Sequence, residues 1–203
     1  VEGPADLLYL TFFSNLLHSQ KRTGLQDDIT IVPVGGLDKV TTFISLLRGS
    51  KLGVACLLDT FVDQKGNQKV QDLISQKIIK DKHIRFFDEF VENSNNVADI
   101  EDLFDKDEYL KYFNLAFAGE YQEIKVSDLD NSMPTILKQI NKVIGKDRFN
   151  HYRPANKLNQ LSPKASDFSK KTLDRYEKIF IDFSYFYCFC RSMFCGQSRL
   201  CRL

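Results

Sequence analysis

A chain of 203 residues, 43% hydrophobic and 27% charged, suits one globular domain with a real core. No apolar run reaches the roughly 20 residues needed to cross a bilayer, and no basic region followed by an apolar stretch marks a secretory signal. Net charge is only +1, which excludes a global basic footprint for nucleic acid. The charge is uneven, however: residues 146–203 hold 12 Lys and Arg against 5 Asp and Glu, which leaves the earlier part net acidic. An acidic first part can supply metal ligands and a basic second part can touch phosphates, although a lopsided solvated surface explains the charge equally well.

Val1-Glu2-Gly3-Pro4-Ala5-Asp6 reads as the end of a buried strand, a tight turn and a helix opening at Pro4, where the missing N–H is no loss. The chain thus begins at what should be a strand end, as a fragment with a truncated first strand would. The helix is expected to run to about His18, with Leu10, Phe13 and Leu17 on one face. Ile29 to Val34 is a β-branched strand ended by Gly35-Gly36, and Val40, Phe43, Ile44 and Leu47 stripe a second helix. Leu52 to Asp59 is a nearly unbroken apolar run, the pattern of a parallel strand buried on both faces. A third helix is expected over Gln68–Lys80 and a further strand over Ile84–Phe87. Alternation of strand and helix over this length predicts right-handed βαβ units and a mainly parallel sheet flanked by helices.

Beyond Asp105 the pattern is helical. Leu110, Phe113 and Phe117 mark one helix; another opens at Ser132 or Pro134 and closes at Gly145, and a short one follows Pro154. Thr172 to Tyr187 carries Leu173, Tyr176, Phe180, Phe183 and Tyr187 at helical spacing, a docking face. Cys56 sits in an apolar run and reads as core; Cys188, Cys190, Cys195 and Cys201 lack zinc-site spacing. An odd number of cysteines and no secretory signal favour reduced thiols in a cytoplasm. The expected division is an α/β catalytic core over 1–120, a helical extension over 121–187 and a disordered Cys-rich tail over 188–203.

Three acidic clusters lie in or beside the sheet region: Glu2 with Asp6, Asp59 with Asp63, and Asp99 with Glu101 and Asp102. In a parallel sheet the C-terminal ends of the strands share one edge, so Glu2 and Asp59 should converge there. Carboxylates crowded at one edge repel one another unless a cation neutralises them. Oxygen-only ligands suit Mg²⁺, Mn²⁺ or Ca²⁺. Two such ions roughly 4 Å apart can activate water and stabilise the leaving oxygen in phosphodiester cleavage. Each acid alone is better read as a solvated loop residue or a helix cap; the conjunction at strand ends is the harder feature to dismiss.

The opening hexamer, Pro33-Val34-Gly35-Gly36, Leu57-Leu58-Asp59 and Ala98-Asp99-Ile100-Glu101-Asp102-Leu103-Phe104 resemble the Toprim domain of OLD-family, ATP-dependent endonucleases over about residues 1–160. The resemblance implies a Toprim fold and metal-dependent cleavage of DNA with one or two Mg²⁺ or Mn²⁺ ions. It implies Glu2 and Asp6 as first-motif acids, Asp59 as the first acid of the second motif, and Asp99 with Glu101 as a further metal-binding pair. It also implies an upstream ATPase domain as the partner that uses ATP, and a homodimeric parent protein. No G-x-x-x-x-G-K-[ST] phosphate loop occurs in this chain. Two departures stand out. The second motif carries Phe61 where an acid belongs, with Asp63 as a possible substitute. In Arg148 to Ala155, His151 stands near the place of the family's late lysine, and Arg153 offers a positive charge for the phosphate. Two other readings stay open: a catalytically weak Toprim module that binds nucleic acid or protein partners, and a nucleotide-binding doubly wound domain. The second is disfavoured because no G-x-G-x-x-G follows a strand.

Overall fold

The computed structural model describes residues 1–47, 52–60, 64–75, 79–92 and 96–194. It is a mixed α/β protein, mostly helical, with a small parallel sheet. In chain order the elements are α1 (Pro4–Ser19), α2 (Leu37–Leu47), β1 (Cys56–Leu58), α3 (Gln64–Ser75), β2 (Ile84–Phe86), α4 (Lys106–Ala116), α5 (Ile136–Ile144), α6 (Tyr152–Leu161) and α7 (Lys170–Phe194). Short 3₁₀ turns at Phe87–Phe90 and Ile100–Leu103 join the sheet to the helices.

The sheet is smaller than the apolar runs suggest. Strands β1 and β2 pair in parallel over Cys56↔Ile84, Leu57↔Arg85 and Leu58↔Phe86. Segment 29–34, expected as a strand, is not a regular one. It makes a single parallel pairing step, in which the Val1 amine donates to Val32 O at 3.1 Å and Val34 N donates to Val1 O at 3.1 Å. Pro33, with no N–H, adds nothing to that ladder. The Gly35 and Gly36 amides then both donate to Glu2 O, at 2.8 and 2.9 Å. Their φ angles of 84° and 107° are open to glycine at little steric cost.

Side chains of β1 alternate between two cores, as a period of two demands. Leu57 enters the larger core, formed largely by α1, α4, α6 and α7; Cys56 and Leu58 enter the smaller one, with Val40 and Ile44 of α2, Val70 of α3 and Ile84 of β2. Burial of β1 on both faces is the property its unbroken apolar sequence predicts. The centre of the larger core is aromatic. Phe13 of α1 stacks on Tyr176 of α7 with centroids 3.8 Å apart; Phe104 meets both rings edge-on, and Phe168 meets Phe13 edge-on and Phe104 at a tilt.

Polar clamps fix the long helix against the rest. Arg22, just past α1, bridges Asp174 and Glu177 of α7 at 2.6 Å each. Buried Glu108 of α4 accepts from Thr172 Oγ1 at 2.5 Å and from the Ser169 amide. Helix α7 continues through Phe194, so it takes in residues 188–194 of the stretch expected to be disordered; 195–203 lie outside the described residues. Helix α3 starts at Gln64 rather than Gln68, because the polar run around Gly66 is helical and not a turn. Among the described residues no helix is long and apolar enough to cross a membrane.

Candidate metal centre

Three chain segments bring the acids together, and each is held by its own local chemistry. The first is the turn into α1. Gly3 is the N-cap and Pro4 the first helical residue, and Asp6 Oδ2 reaches back to accept from Gly3 N at 2.9 Å. Asp6 therefore does serve as a helix cap, yet it is buried at 4% exposure and also feels the Glu2 backbone amide. The preceding residue, Glu2, is half-buried and accepts from the Asp59 amide through Oε1 at 3.2 Å.

That bond joins the first segment to the second, the end of β1. Asp59 follows Leu58 directly, and the next residue anchors it from the far side. Thr60 N donates to Ala98 O at 3.1 Å, and Thr60 Oγ1 donates to Asp88 Oδ1 at 2.6 Å. Asp63 and Phe61, the other positions of interest in this loop, lie outside the described residues.

The third segment is the 3₁₀ turn at 99–104. Asp102 Oδ2 accepts from Asp99 N at 2.9 Å, and its Oδ1 accepts from Ile136 N at 2.8 Å, so both oxygens are committed to tying this turn to the start of α5. The Asp99 carboxylate takes a hydrogen bond from Thr135, the N-cap of α5, and Lys138 in the first turn of that helix lends it positive charge. Glu101 is buried at 1% exposure, and its Oε1 meets His151 Nδ1 at 2.8 Å. His151 sits at the mouth of α6 with its side chain 44% exposed.

The electrostatics record how closely these groups share space. Burial raises the pKa of Asp59 well above the carboxylate range, and Asp99, Asp6, Glu2 and Glu101 all add to the rise. Burial pushes Glu2 up to about 7, with Asp6 and Asp99 contributing. Asp6, Asp99 and Glu101 are each raised, again mainly by burial. Asp102 rises to about 7 by burial despite its two amide donors. His151 moves the other way in charge: its bond to Glu101 lifts it to about 9, so the imidazolium persists at neutral pH among the acids. A set of buried carboxylates this crowded is unfavourable when fully ionised, and a hard divalent cation is the species whose binding relieves it.

Glu2, Asp6, Asp59, Asp99 and Glu101 thus share one neighbourhood, with His151 beside Glu101. Arg153 is engaged elsewhere. Its Nη1 bonds Glu120 at 2.7 Å, its Nη2 donates to Ala116 O at 2.6 Å, and its guanidinium lies 4.0 Å over the Phe117 ring. It fastens α6 to the end of α4, and His151 is the cation that faces the acids. Sequence reasoning overlooked Thr135 and Lys138, whose only signal is their place at the opening of a helix. It also overlooked the structural duty of Asp102.

The donors are oxygen-only apart from His151 and so fit Mg²⁺ or Mn²⁺ in kind. They are not drawn into a finished cage: among the described residues no group of three or more His, Cys, Asp or Glu side chains stands ready to hold an ion. Compared with protein-family models, curated proteins and solved structures, the chain has no match.

Proposed function

We propose that the chain is a Toprim-type nuclease domain that hydrolyses DNA phosphodiester bonds with Mg²⁺ or Mn²⁺. The observation that carries this reading is the meeting of acids from three separated segments around Asp59. A bound divalent ion would supply Lewis-acid polarisation of the phosphate and an activated water. Glu2, Asp59 and Asp99, the half-buried members, would hold it. Asp6 behind them would orient the attacking water and accept its proton. His151 would keep Glu101 charged and offer its exposed ring edge to the incoming phosphate, the part that Arg153 is too far committed to play. In this reading an ATPase domain and a second copy belong to the parent protein.

The test is cleavage of plasmid DNA by the chain in millimolar Mn²⁺ or Mg²⁺, with Glu2→Ala and Asp59→Asn as controls. Metal-dependent nicking abolished by both substitutions is the expected result; nicking that survives them removes the acids from the mechanism. One observation favours a second reading, a catalytically weak module that binds nucleic acid or protein. The acids share a neighbourhood without a ready three-donor group. Metal-dependent DNA retention without any cleavage would select it.

A further inference from the structure

The ladder between β1 and β2 ends where Leu58 pairs with Phe86, because β2 turns there into the 3₁₀ segment Phe87–Phe90. Carried on by two residues, the same register sets Thr60 opposite Asp88. A side-chain bond takes over from the ladder at that point: Thr60 Oγ1 donates to Asp88 Oδ1 at 2.6 Å. A hydroxyl donating to a carboxylate over so short a distance is among the stronger hydrogen bonds.

The main chain of Thr60 meets a different partner. Its amide donates to Ala98 O at 3.1 Å, and Ala98 is fully buried and directly precedes Asp99. One residue back, the Asp59 amide donates to Glu2 Oε1 at 3.2 Å. Thr60 therefore stands between two acid-bearing segments, joined to Asp59 by the chain and to the Asp99 segment by its amide. A pivot of Thr60 would shift Asp59 relative to Asp99, and the bond to Asp88 opposes that pivot. Asp88 is itself well anchored. Phe87 and Phe90 on either side of it are buried in the larger core. Glu89 Oε1 accepts from Phe86 N at 2.8 Å, and Lys178 of α7 donates to Glu89 O at 2.8 Å.

We propose that Thr60 and Asp88 are positioning residues of the acid centre: Asp88, by holding the Thr60 hydroxyl, sets the separation of Asp59 from Asp99. The purpose of this latch rests on the metal-centre reading, since groups that orient ligands tune the affinity for the ion. Its chemistry is specific. Asp88 serves as an acceptor and not as a charge, so an amide oxygen in the same place does the same work. Thr60 serves as a donor, so a smaller side chain that keeps the hydroxyl suffices, whereas an apolar one of nearly the same shape does not.

The experiment compares Thr60→Val with Thr60→Ser, and Asp88→Ala with Asp88→Asn, each in the full chain. Mn²⁺ binding is followed by electron paramagnetic resonance, and amide hydrogen exchange is measured without metal. Thr60→Val and Asp88→Ala should each weaken Mn²⁺ binding by about 10–100-fold, the usual effect of losing a group that orients a metal ligand. Without metal, both should speed exchange at the Thr60 amide by about three- to tenfold, the effect of losing one hydrogen bond. Thr60→Ser and Asp88→Asn should restore affinity and protection alike. Unchanged affinity and exchange in Thr60→Val and Asp88→Ala would overturn the proposal. So would an Asp88→Asn chain as impaired as Asp88→Ala, because the charge would then be what matters and Asp88 would be a ligand. Should Thr60→Val not fold, the two Asp88 variants decide. A wild type that binds no Mn²⁺ sinks the nuclease reading, and the metal-free exchange data then decide the latch by themselves.

Discussion

Replacing Glu2 by Gln tests whether the acids are as crowded as their geometry indicates. Glutamine keeps an oxygen to accept from the Asp59 amide but carries no charge. The carboxyl is raised from 4.5 to about 7 in the folded protein, chiefly by burial. Between those pH values the folded state binds a proton more tightly than the unfolded state does, so stability falls as pH rises through that window. The full shift is worth up to about 3 kcal/mol against the charged form, and partial exposure to water reduces this to roughly 1.5–3 kcal/mol. Metal-free Glu2→Gln should therefore match the wild type at pH 4 and exceed it by that amount at pH 8. Asp59, Asp6 and Asp99 share the field of Glu2, so the difference between the two proteins reports Glu2 together with its coupling to them. Urea unfolding at half-unit pH steps measures it. Parallel stability curves for the two proteins across pH 4–8 would refute the crowding argument.

Millimolar Mg²⁺ or Mn²⁺ should stabilise the wild type, by about 2.7 kcal/mol at a hundred times the Kd, and should do far less for Asp59→Asn. An unchanged melting temperature in the wild type would count against the site. His151→Ala should destabilise the protein by about 1–3 kcal/mol at pH 7, less than for a fully buried pair because the ring is partly exposed. The stability that His151 gains from its raised pKa is present below about 6.5 and lost as pH rises through about 9, so the gap to the variant should close by pH 10. Phe13→Ala removes the ring stacked on Tyr176 and should cost about 3–5 kcal/mol, read by calorimetry, with little change in metal affinity.

Local signals in the sequence located what is local. Pro4 opens α1, and Gly145, at φ 65°, closes α5 in the left-handed conformation that favours glycine. The apolar run at Leu52–Asp59 correctly indicated a strand buried on both faces, but not its length, because strand length depends on a partner that only the fold supplies. Beyond Cys56–Leu58 that partner is missing among the described residues. The 3₁₀ turn at Ile100–Leu103 has too few residues to show a periodicity, so the sequence could not say that Asp102 would spend both oxygens on backbone amides. Arg153 and His151 are two residues apart, and the sequence offered Arg153 as the charge for the phosphate and His151 as the stand-in for the late lysine. Their roles separate because Phe117 and Glu120 lie under one and Glu101 under the other.

The aromatic core has a spectroscopic consequence. The chain has no tryptophan and 8 tyrosines, so its intrinsic ultraviolet emission comes from tyrosine. Tyr9, Tyr109, Tyr112 and Tyr176 are buried, and each has its phenol raised above the usual value by burial. An alkaline titration followed by phenolate absorbance reads these four phenols. Tyr9, Tyr109 and Tyr176, the most strongly raised, would ionise only when α1, α4 and α7 separate. The delayed step in phenolate absorbance therefore times the opening of the larger core without any added probe.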